Sequence, residues 1–190
     1  MNQYELIGFA SSLVCVYLNT KANIWGWLWA IISSTVYLIL FVKVGLYANA
    51  FLQSAFIILS MYGYFSWKLS QKNKTHKPLL PMRRLNFTFF LYTLVVIYLF
   101  TVLISQTLIH FSQATLPYLD ALTTSISLVA QWLLAQRYVE NWLFWIVANI
   151  LYVVLYYYTN FYLTALLYAI FLGLAIWGYL QWKKQWKTEI

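Results

Sequence analysis

Residues 62–68 read Tyr-Gly-Tyr-Phe-Ser-Trp-Lys, and residues 177–183 read Trp-Gly-Tyr-Leu-Gln-Trp-Lys. The two heptapeptides belong to a longer ungapped repeat, in which residues 12–68 align with residues 127–183 at an offset of 115. Identical residues occupy 18 of the 57 aligned positions, and they include tryptophan, glycine and lysine, whose coincidence shared hydrophobicity does not explain. We therefore expect two copies of one structural unit.

The composition excludes a protein that folds in water. Of the 190 residues, 63% are hydrophobic and only 8% are charged, whereas an ordinary soluble domain is roughly 25% charged. Such a chain cannot cover a core with polar surface, so we expect an all-α integral membrane protein with the lipid bilayer as its solvent. The net charge of +8 is then a signal of membrane topology, and nucleic acid is not an expected partner.

Seven apolar runs are long enough to be transmembrane helices. Residues 1–5 lack the basic segment of a cleaved signal, so the first run is expected to remain as a permanent helix. One long polar segment, residues 68–86, holds six basic residues and two prolines and is expected to be a solvated loop. The predicted helices span residues 6–20, 27–42, 47–67, 87–105, 120–136, 142–158 and 162–182.

Lysine and arginine are distributed unequally over the connections between these helices. With the N-terminus outside, eleven of the twelve basic residues lie in connections or a tail that face the cytoplasm, and only Lys43 faces outward. The positive-inside rule therefore predicts an outside N-terminus and a cytoplasmic C-terminus. Adding or removing one crossing would destroy this asymmetry, which supports a count of seven.

Each copy of the repeat contains three helices, and an odd number of crossings would insert the second copy upside down. The fourth predicted helix has no counterpart in either copy, and it supplies the crossing that keeps the copies parallel. The expected architecture is 3+1+3, as in transporters of the SWEET type, with a substrate site between the halves. The predicted segments are a first repeat (1–68), a basic cytoplasmic loop (69–86), a linker helix with an outer loop (87–119), a second repeat (120–183) and a cytoplasmic tail (184–190).

One face of the sixth predicted helix carries aromatic and amide side chains at steps of three and four residues. At its middle the aligned second helix has small residues instead. Helix packing and interfacial belts also produce aromatic stripes, but a carboxamide at mid-membrane needs a hydrogen-bond partner, so Asn149 favours a binding site. The stripe includes Trp142, Trp145, Asn149 and Tyr152.

Three further amides are predicted at membrane depth and complete the candidate site. Hydrogen bonding between helices and lining of a pore are both open interpretations of such side chains. As pore-lining groups they would suit the neutral polar part of a substrate. They are Gln53, Gln131 and Asn49.

Ionisable side chains are absent from the predicted membrane centres. All four acids lie near helix ends or in the tail, and His76 and His110 lie outside the spans. Because proton relays and sodium sites use such groups, a passive facilitator is the default expectation. The sequence has no phosphate-binding loop, metal cluster or nucleophile–base pair, so we expect no enzyme, no resident cofactor and no metal ion.

The segment 140–149, Glu-Asn-Trp-Leu-Phe-Trp-Ile-Val-Ala-Asn, resembles the PnuC family of nicotinamide riboside transporters. The Trp-x-x-Trp-x-x-x-Asn signature of that family is met by Trp142, Trp145 and Asn149. The resemblance implies facilitated uptake of a vitamin precursor across the bacterial inner membrane, trapping by a cytoplasmic kinase and a homotrimer. It also implies that these three residues contact the substrate, with Gln53 nearby.

Other substrates and other protein classes stay open from the sequence. Aromatic faces can hold a pyridinium without a buried carboxylate, but thiamine is also a cationic aromatic, and so are other vitamins. A substrate-binding membrane subunit of an ATP-driven vitamin importer would have a similar size. That class predicts six helices, no parallel repeat and dependence on partner subunits, whereas a non-transporting scaffold would move nothing across vesicles. The charge distribution and the repeat favour a facilitator.

Overall fold

The structure is a computed structural model that describes residues 3–43, 45, 47–72, 81–111 and 116–189. These residues form seven helices, one for each apolar run of the sequence. The helices are α1 (Gln3–Thr20), α2 (Trp25–Lys43), α3 (Tyr47–Lys72), α4 (Phe87–Phe111), α5 (Pro117–Ala135), α6 (Asn141–Tyr158) and α7 (Tyr162–Glu189). Much of the predicted basic loop (residues 73–80) and part of the outer loop (residues 112–115) lie outside the described residues.

The helices α3 and α7 continue beyond the ends that hydropathy predicts. A helix satisfies its own backbone hydrogen bonds in lipid and in water, so it need not stop where the apolar run stops. In both helices a lysine ammonium lies over a tyrosine ring one turn earlier. Lys68 Nζ is 5.4 Å from the ring centre of Tyr64, and Lys183 Nζ is 5.7 Å from that of Tyr179.

Within the described residues, four helices qualify as membrane spans by length and composition, namely α2, α4, α6 and most of α7. The helix α4 exposes large apolar side chains such as Tyr98 and Leu103, a surface suited to lipid. The helix α5 is instead buried along most of its length. Its hydroxyl groups donate to carbonyls one turn back, as in the bonds from Ser125 to Ala121 (2.7 Å) and from Ser127 to Thr123 (2.8 Å). These buried hydroxyl groups are therefore satisfied within α5 itself.

The helices pack in a closed order. The helix α1 packs on α2, and α2 on α3; α5 packs on α6, and α6 on α7. The contacts of α3 with α5 and of α7 with α1 join the two groups of three. The helix α4 packs against α5 at the periphery. Two junctions between the groups result, one at α3–α5 and one at α1–α7.

The turns within the two groups share an unusual backbone conformation. Ala22 (φ 51°) and Arg137 (φ 60°) are left-handed in the α1–α2 and α5–α6 turns, and Gly45 (φ 76°) and Asn160 (φ 62°) are left-handed in the next turns along. In each pair the residues are 115 positions apart, the offset of the sequence repeat. Left-handed geometry is uncommon outside glycine, and yet only one of the four residues is a glycine.

Four tryptophans form a cluster at the end of the bundle that carries the α1–α2 and α5–α6 turns. We call Trp27, Trp67, Trp142 and Trp182 the tryptophan cluster. Edge-to-face contacts join Trp27 to Trp67 (ring centres 5.3 Å apart) and Trp142 to Trp182 (5.8 Å). The Trp67 and Trp182 rings approach to 6.0 Å and so join the two groups of helices.

Two glycines allow this close packing of indole rings on helices. A Cβ atom at Gly63 would lie 2.5 Å from the Trp27 ring, and one at Gly178 would lie 2.7 Å from the Trp142 ring. Carbon atoms in van der Waals contact are about 3.5–4.0 Å apart, so any side chain at either glycine would displace the tryptophan. The two contacts again occupy aligned positions of the repeat.

Two indole groups donate hydrogen bonds across the junctions. Trp67 Nε1 donates to the carbonyl oxygen of Ala135 at 3.1 Å, and Trp182 Nε1 donates to that of Asn19 at 3.0 Å. Both acceptors lie at the last turn of a helix, where carbonyl groups lack intrahelical partners. Each group of three helices therefore provides the acceptor for an indole of the other group.

The described residues just before α4 pack against the α5–α6 turn. The Arg83 N–H donates to the Arg137 carbonyl and the Val139 N–H donates to the Arg83 carbonyl, both at 3.0 Å. Met82 inserts beside the tryptophan cluster and is only 4% exposed. This differs from the expected solvated loop, because an apolar side chain and a short parallel bridge hold residues 81–86 on the bundle.

Glu140 fixes the same segment through its carboxylate. It accepts hydrogen bonds from Arg84 Nε at 2.5 Å and from the Leu85 N–H at 2.9 Å. The Glu140 side chain is 10% exposed, whereas that of Arg84 is 44% exposed. Solvent therefore screens the charge of Arg84 and weakens its ion pair with Glu140. The Leu85 N–H is the partner whose lost hydrogen bond would cost more stability.

We expect Glu140→Ala to lower the free energy of unfolding by about 1–2 kcal/mol, because the Leu85 N–H and Arg84 lose their acceptor. Arg84→Ala should have a smaller effect, since the bond to the Leu85 N–H remains. Unfolding of the three purified proteins in one detergent measures the difference. An Arg84→Ala effect as large as that of Glu140→Ala would contradict this account.

Candidate functional site

The helix α6 brings three of the predicted residues onto one inward face. Trp145, Asn149 and Tyr152 follow each other at steps of four and three residues. Asn149 is 4% exposed and Tyr152 is 9% exposed. Trp145 is half-buried and packs against both hydrophobic cores, one of which contains the tryptophan cluster and the other Tyr152. The stripe therefore lies inside the bundle.

Three stacked tyrosines lie next to this stripe. We call Tyr152, Tyr156 and Tyr168 the tyrosine cluster; its ring centres are 4.4 Å apart for Tyr152 and Tyr168, 5.3 Å for Tyr156 and Tyr168, and 6.1 Å for Tyr152 and Tyr156. At the aligned positions the first half has Tyr37, Phe41 and Gln53, and only Tyr37 and Phe41 stack (6.2 Å). The second half is thus the more aromatic one.

The carboxamide of Asn149 makes no hydrogen bond with any residue in the described ranges. A buried amide has two donors and an acceptor with two lone pairs, and such groups are nearly always paired in folded proteins. The side chain lies one helical turn from Trp145, which is aromatic and partly accessible. An aromatic face beside an unpaired amide suits a planar ligand with polar substituents.

Trp142 has surroundings unlike those of Trp145, although both belong to the predicted stripe. It is 2% exposed, lies on Gly178 and contacts Trp182 edge to face. Its aligned residue Trp27 is packed in the same way on Gly63. Trp142 is thus enclosed by protein in this conformation, and its buried indole Nε1 has no hydrogen-bond partner among the described residues.

The predicted amides occupy two different environments. Gln131 Nε2 donates to Ser60 Oγ at 3.2 Å, which links α5 to α3 inside the bundle. Gln53 and Asn49 are half-buried, one turn apart on α3, and hydrogen bonds of these side chains are absent from the described part of the chain. The structure therefore pairs Gln131 with another helix and leaves the two α3 amides available.

The sequence reasoning missed Tyr168, the ring closest to Tyr152 in the tyrosine cluster. Tyr168 aligns with Gln53 in the repeat, so inspection of the position that matches a predicted site residue would have found it. Within the described ranges, no group of three or more histidine, cysteine, aspartate or glutamate residues could hold a metal ion. Aromatic stacking and neutral hydrogen bonding are available around Asn149, and the carboxylate of Asp120 on α5 interacts electrostatically with Tyr152 and Tyr156.

Comparison with known proteins places this arrangement in a family. The sequence model of the nicotinamide mononucleotide transporter family matches residues 2–184. The nicotinamide riboside transporter PnuC of Escherichia coli (strain K12) is 26% identical over 200 residues, which cover 94% of this chain and 84% of that protein. The same transporter of Haemophilus influenzae is 29% identical over 185 residues, or 94% of this chain and 78% of that protein.

A solved structure has the same fold. The crystal structure of the vitamin B3 transporter PnuC superposes with a TM-score of 0.78 and 25% sequence identity, and the match covers 97% of this chain and 82% of that one. The family resemblance predicted from the Trp-x-x-Trp-x-x-x-Asn signature is confirmed. The chain belongs to the nicotinamide mononucleotide transporter family and is a multi-pass membrane transporter rather than an enzyme.

Proposed function

We propose that this transporter takes up nicotinamide riboside by facilitated diffusion across the inner membrane. The observation that carries the proposal is that Trp145 and Asn149 lie one turn apart on the inward face of α6, and that the Asn149 carboxamide has no hydrogen-bond partner among the described residues. Relatives that cover most of the chain are nicotinamide riboside transporters, and an aromatic face can hold the pyridinium of that substrate without a carboxylate. The predicted spans contain no acid or histidine at mid-membrane for coupling to protons or sodium.

In this proposal the substrate lies between the tryptophan cluster and the tyrosine cluster. Trp145 and Tyr152 stack on the pyridinium, and Asn149 binds the nicotinamide carboxamide. The amides of Gln53 and Asn49 are available for ribose hydroxyls. Trp142 closes the site from the side of the tryptophan cluster, and Gln131 orients α5 against α3 through Ser60.

We also propose the 3+1+3 architecture, with an outside N-terminus, a cytoplasmic C-terminus and the segments predicted from the sequence. Two observations support this architecture. Left-handed residues occupy aligned positions of the repeat in both pairs of turns, and the indole–glycine contacts also occupy aligned positions. The distribution of eleven of twelve basic residues supports the orientation. Trapping by a cytoplasmic kinase and assembly as a homotrimer follow from the family resemblance.

Uptake into vesicles tests the proposed activity. Purified protein in liposomes should equilibrate labelled nicotinamide riboside to equal concentrations inside and outside, without ATP, partner subunits or an ion gradient. Thiamine in excess should leave this uptake unchanged, and protein-free liposomes provide the background. Accumulation only under a proton or sodium gradient would contradict facilitated diffusion. Competition by thiamine would favour the alternative substrate, and uptake that needs separate ATPases would favour the importer subunit.

A further inference from the structure

A cleft opens on the surface at the end of the α1–α7 junction. Its volume is about 300 Å³, which is at the lower end of the range for small-molecule sites. Amide, hydroxyl and ammonium groups line it, and the lining side chains carry no negative charge. They are Thr20, Lys21, Gln181, Lys184, Gln185 and Thr188.

The two lysines of the cleft come from different elements, Lys21 from the α1–α2 turn and Lys184 from α7. The Lys21 ammonium lies 4.5 Å from the ring centre of Trp177, which stacks in turn on Tyr17 with ring centres 5.7 Å apart. Lys184 lies on the same face of α7 as Gln181 and Gln185. Two cations and several hydrogen-bond donors therefore surround one opening, a combination that suits a phosphate group.

The other junction has uncharged residues at the positions that align with these lysines. In the repeat, Lys21 aligns with Gln136 and Lys184 aligns with Leu69. Gln136 Nε2 donates to the Tyr62 hydroxyl, and Tyr62 aligns with Trp177. The α3–α5 junction thus has a hydrogen bond between neutral side chains where the α1–α7 junction has a cation over a ring.

Exposed apolar side chains lie next to the cleft, toward the middle of the bundle. Tyr17 on α1 and Ile176 and Leu180 on α7 are exposed there. Acyl chains can cover this surface while a phosphate occupies the cleft above it. Basic pockets between membrane helices bind anionic headgroups in this way, and in the proposed orientation the cleft faces the cytoplasmic leaflet, which is the anionic one.

We propose that the α1–α7 cleft binds a phosphate group, and that its source is the headgroup of an anionic phospholipid. This site is separate from the region around Asn149 and does not depend on the transported substrate. It would anchor the α1–α7 junction to one leaflet.

Native mass spectrometry of the full chain with phosphatidylglycerol, phosphatidylcholine or inorganic phosphate tests the proposal. The wild type should retain phosphatidylglycerol in preference to phosphatidylcholine. Lys21→Gln/Lys184→Gln should weaken that binding roughly tenfold or more. The matched control Lys183→Gln/Lys187→Gln removes two charges from α7 outside the cleft, and it should bind within about twofold of the wild type.

The remaining outcomes separate the sources of phosphate. Equal losses in both double variants would overturn the site, because they would show general attraction to a basic surface. Unchanged binding in Lys21→Gln/Lys184→Gln would overturn it as well. If the wild type retains inorganic phosphate and Lys21→Gln/Lys184→Gln does not, the phosphate site is supported. If the wild type retains inorganic phosphate but not phosphatidylglycerol, a phospholipid headgroup as the source of the phosphate is overturned. The variant Lys21→Arg/Lys184→Arg keeps both positive charges, so it should bind phosphatidylglycerol as the wild type does.

Discussion

Asn149→Ala is expected to bind nicotinamide riboside about 1–3 kcal/mol more weakly than the wild type, which is roughly a five- to 150-fold rise in Kd. The carboxamide is buried and makes no hydrogen bond with described residues, so the substrate would be its partner. Removal of the side chain leaves the polar group of the bound substrate without that partner. Isothermal titration of the purified protein measures the effect.

Three further variants separate binding from folding at this site. Asn149→Ser introduces the residue found at the aligned position of the first half, Ser34, and should lose most of the affinity while it keeps the fold. Trp145→Phe should retain more affinity than Trp145→Ala, because a phenyl ring still stacks on a cation. Unchanged Kd in Asn149→Ala, with an unfolding midpoint equal to the wild type, would remove this residue from the site.

Gly178→Ala is expected to lower the free energy of unfolding by about 1–3 kcal/mol. The new Cβ would lie 2.7 Å from the fused ring atoms of Trp142, and these atoms cannot move without displacing the whole indole. The indole is enclosed by the tryptophan cluster, so it has no free space to occupy. Thermal or chemical unfolding in detergent measures the change.

Gly173→Ala on the same helix is the matched control. A Cβ atom there would have no neighbour within 4 Å, and alanine is favoured over glycine in a helix by about 0.5–1 kcal/mol. The control should therefore be as stable as the wild type or slightly more stable. If Gly178→Ala also gained stability, the close indole–glycine contact would not exist in the folded protein.

Hydropathy and the repeat predicted the helices well, because a membrane helix is specified by a long local run of apolar residues. The same signal failed where a helix left the apolar region, as in α3 beyond residue 67 and α7 beyond residue 182. Hydropathy and the repeat also do not predict that Met82 inserts under the α5–α6 turn. That contact joins residues about 50 positions apart along the chain, and no local pattern in a basic segment encodes it.

The candidate site was predicted in part, for a similar reason. A helical stripe is a local pattern, so Trp145, Asn149 and Tyr152 could be placed on one face of α6 from spacing alone. Which side chains of other helices complete the site is decided by packing between helices. Trp142 thus shares the stripe and yet is enclosed by Gly178 and Trp182. Tyr168 joins Tyr152 from α7, and the sequence indicates it only through its alignment with Gln53 in the repeat.

The exchange of indole hydrogen bonds between the two groups of helices has a consequence for assembly. Trp67 donates to one group and Trp182 donates to the other, so neither group alone contains the acceptors that it needs. Two separate three-helix chains would have to meet by diffusion in the membrane to form these bonds. Covalent connection through α4 makes that meeting intramolecular, with an effective concentration fixed by the linker. The pairing of the halves is therefore independent of how much protein the membrane contains.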